Sequence, residues 1–179
     1  MEISQTQLKE NKQLDIAAFS HAYKVKHLQE EDIPVIFDLC RRNVLYYQYC
    51  PPMVTKESIL SDLHALPDGA VLSQKYDIGY YQNHQLMAIL DLIAGWPDEE
   101  TAYIGLFMMD VSLQRKGIGS NIIQDLQNAL KQAGFERIRL GWMQDNPQAE
   151  HFWRKNGFVP CNVHTAFNGK TAVIAEKMI

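Results

Sequence analysis

Gln114-Arg-Lys-Gly-Ile-Gly119 is the stretch on which the fold turns. Ahead of it, Tyr103-Ile-Gly-Leu-Phe-Met-Met109 is short, apolar and uncharged as far as Asp110, the pattern of a buried strand. Behind it, Ile118, Ile122, Ile123, Leu126, Ala129 and Leu130 fall on one side of a 3.6-residue helix that Gly134 stops. The local order is therefore strand, glycine loop, helix. Such a loop gathers backbone N–H groups at the positive end of a helix, where a phosphate is the natural partner. A glycine pair also serves as a tight turn, so the loop alone leaves both readings open.

Spacing excludes two other phosphate loops. The Walker type needs Gly-x-x-x-x-Gly-Lys-Ser/Thr and the dinucleotide type Gly-x-Gly-x-x-Gly, and neither occurs. After the helix comes a strand, Arg137 to Met143, and then Asn146-Pro-Gln-Ala149-Glu-His-Phe152-Trp153 with a closing Gly157-Phe158. With these motifs, residues 102 to 160 resemble the GNAT superfamily of N-acetyltransferases. Its signature is (Gln/Arg)-x-x-Gly-x-(Gly/Ala) on a strand-loop-helix, then Asn-x-x-Ala-x-x-(Phe/Leu)-Tyr and Gly-Phe. The resemblance implies an α/β fold with a central mixed β-sheet and helices on both faces, in the order β-α-α-β-β-β-α-β-α-β-β.

The flanks fit that order more loosely. Residues 1 to 20 read as an N-terminal extension, a leader helix or a frayed tail, ahead of one domain over 21 to 179. Tyr23 to His27 alternates as a strand, and Gln29-Glu-Glu-Asp32 with Pro34 opens a helix whose inward stripe is Ile33, Ile36, Phe37, Cys40 and Val44. Thr55 caps a second helix with Ile59, Leu60, Leu63 and Leu66 inward, ended by Pro67 and Gly69. Between them, Leu45 to Pro52 is an aromatic connection stiffened by two prolines. Strands are expected near Asp77 to Gln82 and Gln85 to Ala94 around a turn at Asn83-His84, and near Gly157 to Cys161 and Thr171 to Met178 around Asn168-Gly169.

Composition narrows the function. With 46% hydrophobic and 21% charged residues the chain is of the soluble globular class, and no apolar run approaches the ~20 residues that span a bilayer. The polar start lacks a signal-peptide core, which points to the cytoplasm. Cys40, Cys50 and Cys161 are odd in number and far apart, and the six histidines are scattered, so neither a disulfide framework nor a metal site is expected. Residues 1 to 113 hold 8 Lys+Arg against 16 Asp+Glu, whereas residues 114 to 155 hold 7 against 4. That field would favour an anionic cofactor on one half and a cationic amine on the other, and it disfavours nucleic acid. An ordinary acidic surface accounts for the same numbers.

What the resemblance implies for the site is more specific. It implies acetyl-coenzyme A as co-substrate, its pantetheine arm along the backbone of Phe107, Met108 and Met109. Its pyrophosphate would lie on Gln114, Arg115, Lys116, Gly117, Ile118, Gly119 and Ser120, with Asn146 a further contact or else a turn residue before Pro147. Gly117 and Gly119 would be glycines because a Cβ would meet the phosphate or forbid the turn. The Phe107 N–H takes the position of the oxyanion donor. Trp153 stands where the superfamily commonly carries a Tyr that protonates the leaving thiolate, and an indole nitrogen cannot do that. A thiol of pKa ~8.5 leaves with little help, whereas an alkylamine of pKa ~10.4 costs about 4 kcal/mol to deprotonate at neutrality.

For the base, Asp91 is the candidate, a carboxylate within the apolar run Ala-Ile-Leu-Asp-Leu-Ile; a structural hydrogen bond is the other reading. Glu99, Glu100 and Asp110 read as solvated strand ends. Tyr46 and Tyr47, on the helix pair that roofs the acceptor site in similar proteins, would shape the substrate pocket or belong to the core. The implied function is acetyl transfer to a primary amine of a small molecule or peptide, by a homodimer or a monomer that engages neither nucleic acid nor membrane. A non-catalytic acyl-coenzyme A sensor is the competing reading, suggested by Trp153.

Overall fold

The computed structural model describes residues 12–179, and the first eleven of the twenty residues expected to form an N-terminal extension lie outside them. One mixed sheet carries seven strands in the spatial order β1-β2-β3-β4-β5-β7-β6. They are β1 (Lys24–His27), β2 (Lys75–Gln82), β3 (Gln85–Ala94), β4 (Thr101–Met109), β5 (Arg137–Met143), β6 (Val159–Phe167) and β7 (Lys170–Met178). All neighbours are antiparallel except β4 and β5. The helices are α1 (Ile33–Cys40), α2 (Val44–Tyr49), α3 (Lys56–His64), α4 (Ile118–Gln132) and α5 (Pro147–Lys155). None of them is long and apolar enough to cross a membrane.

The apolar residues sort onto two faces. Ile122, Ile123, Leu126 and Leu130 of α4 press onto Ile78, Tyr80, Leu90, Leu92, Ile104 and Ile138 in the larger core. On the opposite face Ile36, Leu39 and Cys40 of α1 and Ile59 of α3 cover Ile89 and Met108. Helices on both faces of a mixed sheet are what the motifs implied. Leu14 and Phe19 are buried in the larger core, Phe19 within a short 3-10 helix, so the chain packs against the domain ahead of β1.

Local signals account for most boundaries. Asn83 and His84 both take positive φ, 49° and 64°, the two-residue turn that joins β2 to β3. Asn168 and Gly169 do the same between β6 and β7. Thr55 caps α3 by accepting from the Ser58 N–H at 3.0 Å, and Gly134 closes α4 at φ 86°. Three expectations fail. The aromatic connection is partly helical, forming α2, and it begins at Val44, which is 54% exposed and not part of the α1 stripe. Leu60 faces solvent, and Leu66 lies beyond the end of α3 at His64. β6 is also longer than expected and runs exposed along the sheet edge.

Candidate active site

A cleft opens where β4 and β5 part. The two strands pair only over Thr101 to Ile104 against Arg137 to Leu140, so the rest of β4 has no neighbour on that side. A bulge at Gly105 decides which groups face the gap: Asp91 pairs with Leu106 and Leu92 with Ile104, leaving Gly105 unpaired. Beyond it the Asp110 N–H donates to the Met87 carbonyl at 2.8 Å, so Asp110 faces β3. By the alternation of an antiparallel ladder, Phe107 and Met109 then turn their N–H and C=O groups into the cleft.

The Met109 carbonyl does not stay open. It accepts from Asn43 Nδ2 at 3.0 Å and Gln114 Nε2 at 3.2 Å. Gln114 Nε2 also donates to Asn43 Oδ1 at 2.8 Å, Asn43 Nδ2 donates to the Leu39 carbonyl, and Gln148 Nε2 donates to Gln114 Oε1. These amides bind the end of α1, the end of β4, the glycine loop and the start of α5 into one frame. Arg42 adds an ion pair at 2.6 Å to Asp110, whose carboxylate is fully buried, not solvated. Burial pushes the Asp110 carboxyl up, but hydrogen bonds from Ser112 and Arg42 together outweigh it and hold it below the usual range.

The loop that follows is an anion cradle by its backbone. Arg115 at φ 62° and Gly117 at φ 79° are left-handed, a pattern that turns successive N–H groups to one side at the start of α4. The two glycines differ in their reasons. Gly117 has open space where a Cβ would stand and needs glycine for its φ. A Cβ on Gly119 would lie 2.8 Å from Met109 Sδ and 3.2 Å from the Phe152 ring. Packing of the helix start against β4 and α5 is by itself a reason for glycine here, beside the expected approach of a phosphate. A diphosphate fits the cradle, and an extended arm fits the cleft beside Phe107 and Met109, in a continuous cavity of about 770 Å³.

Of the residues singled out from sequence, Phe107, Met108, Met109, Gln114, Arg115, Gly117, Gly119, Ser120, Asn146, Tyr46 and Trp153 line this cavity. Lys116, Ile118, Tyr47 and Asp91 do not. Ile118 packs on the larger core, and Tyr47 packs on the smaller one with its ring edge-on to Tyr46. Asn146 Oδ1 caps α5 by accepting from the Ala149 N–H at 3.1 Å. Trp153 is buried and stacks edge-on among Phe107, Phe152 and Phe158, an aromatic wedge beneath the cleft.

Asp91 stands one strand away, yet it reaches toward the cavity. A Cβ on Gly105, itself a lining residue, would lie 2.7 Å from Asp91 Oδ2, so the carboxylate occupies the space that a side chain at 105 would fill. Lys75, with 2% of its side chain exposed, holds Asp91 at 2.9 Å and Asp77 at 3.4 Å. Burial raises the Asp91 carboxyl against the opposing pull of Lys75; it likewise pushes Asp77 up to about 6, again against Lys75. Gly105, Lys75 and Asn43 are site residues that sequence reasoning missed. For Gly105 the signal was present, since a glycine inside a strand marks a bulge or a close approach.

The far end of the cavity is walled by two elements distant in sequence. Val173 and Ala175 pack under α4, so Ala172 and Ile174 alternate to the other face, with Thr165 paired to Ala172. Tyr46 and Cys50, from α2 and just past its end, line the opposite wall. Lys170 Nζ donates to the Tyr49 carbonyl at 3.2 Å and Asn168 Nδ2 to the Pro51 carbonyl at 3.5 Å, tying the β6-β7 hairpin to the end of α2. No carboxylate lines the cavity among the described residues, but Asp91 and Asp62 stand near enough to act on the lining Tyr103 and Tyr46.

A family model described as the acetyltransferase (GNAT) family matches residues 44–158. No curated protein matches the chain. Among solved structures, an acetyltransferase from Thermus thermophilus superposes with a TM-score of 0.72 at 19% identity, over 88% of this chain and 97% of that one. The PaiA N-acetyltransferase from Thermoplasma acidophilum, solved in complex with coenzyme A, gives 0.63 at 17% identity, over 88% and 99%. The ribosomal-protein-S18-alanine N-acetyltransferase from Escherichia coli gives 0.62 at 16%, over 88% and 94%.

Proposed function

The chain belongs to the GNAT family of acetyltransferases, and on that premise we propose that it moves an acetyl group from acetyl-coenzyme A to the primary amine of a small molecule or peptide. The observation that carries this reading is the cleft itself. Backbone N–H groups of Phe107 and Met109 face a gap in the sheet, with an anion cradle at one end and a carboxylate leaning over Gly105 on the other side. Loop amides from Gln114 to Ser120, with Arg115 beside them, would hold the diphosphate, and the β4 edge would hold the pantetheine arm.

When bound, acetyl-coenzyme A supplies a thioester carbonyl that a neutral amine can attack. The Phe107 N–H is aimed into the cleft, where it donates to the acyl oxygen as charge develops there; one preorganised donor of this kind is worth about 2.7 to 4 kcal/mol. Asp91 is the base in this reading, drawing the proton from the incoming amine while Lys75 keeps the carboxylate in place. As the N–C bond forms the C–S bond would break, and coenzyme A would leave as a thiolate that takes its proton from solvent, because Trp153 supplies none. Trp153 instead wedges the Phe107 ring at a centroid distance of 6.2 Å and so positions the donor strand.

The test is thiol release from acetyl-coenzyme A over an amine panel, set against water alone, beside calorimetric titration with free coenzyme A. Amine-dependent release supports the transferase. Coenzyme A binding without acceleration by any amine would leave the sensor reading in its place, and no binding would remove both.

A further inference from the structure

We propose that the acceptor is a monoamine carrying a compact apolar or aromatic group; this rests on the transferase reading above and names its substrate class. The part of the cavity beyond Phe107 is formed by Tyr46, Cys50, Tyr103, Phe167 and Ile174, with Thr165 its one small hydroxyl. Strand alternation puts these side chains on one face. Tyr103 lies opposite the core-facing Ala102 and Ile104, and Ile174 lies opposite the core-facing Val173 and Ala175. Gly141 leaves that face open, since a Cβ there would lie 3.2 Å from Ile174 Cδ1 and 4.0 Å from the Tyr103 hydroxyl.

The charges on this face have one geometry. Asp91 stands at the Gly105 end, where the reacting nitrogen belongs, beside Lys75 and Asp77. Asp62 is near enough to act on Asp91 and Tyr46, while Glu176 on the same face is paired to Arg139. At the opposite rim stands Lys170, cross-strand from Phe167 and bound to the Tyr49 carbonyl. An amine with one ammonium therefore meets its acid at one end and apolar wall at the other. A second ammonium would sit in a cup whose lining carries no carboxylate, with a lysine at the rim, a costly placement. The hairpin bonds to Tyr49 and Pro51 tie the two walls of the cup together, which favours a short group.

Hexylamine and the diamine of the same length form a matched pair, differing in a terminal methyl against a terminal ammonium, with phenethylamine as the aromatic member. The expected result is a kcat/KM for hexylamine and phenethylamine at least about tenfold above that of the diamine. Calorimetry on protein holding free coenzyme A should give the same order of binding without turnover. Thr165→Asp, at an exposed residue of the cup wall, should raise the diamine relative to hexylamine. A diamine that equals or exceeds hexylamine in both rate and binding overturns the proposal, as does Thr165→Asp leaving the ratio unchanged. If no amine accelerates thiol release, the transferase reading fails instead, and the calorimetric order still decides the inference.

Discussion

Replacing Gly105 by alanine is the sharpest probe of the candidate active site, because one methyl group tests the placement of the proposed base. Gly105 is not among the positive-φ glycines, so its backbone accepts an L-residue. The added Cβ would lie 2.7 Å from Asp91 Oδ2 and 3.2 Å from its Cγ, inside any real contact. The carboxylate must yield, but it is short and pinned at 2.9 Å by Lys75, whose side chain is 2% exposed. Overpacking of this kind costs about 1 to 3 kcal/mol, against which the stiffer unfolded chain returns about 0.4 to 1. Lys75 keeps Asp77 at 3.4 Å as a second partner, so the fold should survive. For catalysis the same shift is larger, since about 1 Å of misplacement can cost on the order of 100-fold. Gly105→Ala should therefore lower kcat/KM for the amine by about two orders of magnitude, measured as thiol release at saturating acetyl-coenzyme A. Its coenzyme A affinity, read by calorimetry, should stay level because the cradle lies at the other end of β4. Undiminished kcat/KM in a folded Gly105→Ala protein would refute Asp91 as the base.

Three further outcomes are expected. Gly119→Val should destabilise the protein by roughly 1 to 3 kcal/mol in urea unfolding, in addition to weakening coenzyme A binding, since its Cβ meets Met109 and Phe152; unchanged stability would return the glycine to a purely ligand-facing role. Asn43→Ala should cost about 1 to 3 kcal/mol and also reduce coenzyme A affinity, because Gln114 loses the amide that holds it at the loop start; an affinity that stays put would show the loop to be independent of α1. Asp77 has its carboxyl raised from 3.8 to about 6, so between those values the folded state binds more protons than the unfolded one. Stability should therefore fall by up to about 3 kcal/mol as pH rises through that window, and Asp77→Asn should flatten the slope in urea titrations from acid to neutral pH.

The parts of this molecule that periodicity could reach were those whose partners lie close along the chain. β3 and β5, the turn at Asn83-His84 and the cap at Thr55 are each decided by a few neighbouring residues. α2 escaped because prolines and aromatics read as a stiff connection, while its six residues are held by contacts made elsewhere. The acceptor cup escaped for a stronger reason: Lys170 and Tyr49 meet across 121 positions, which no local pattern encodes. The glycines state the same limit most plainly. The three at the bulge and the loop were visible as letters, but Gly117 answers to φ, Gly119 to the sulfur and ring packed against it, and Gly105 to a carboxylate on the next strand. Only the first of these causes is local, so only the first could be assigned before the strands were paired. The proposed base and the packing of the helix start behind the cradle both depend on close approaches of this second kind, and a motif that matches the loop letter by letter therefore leaves the reach of Asp91 to the bulge at Gly105.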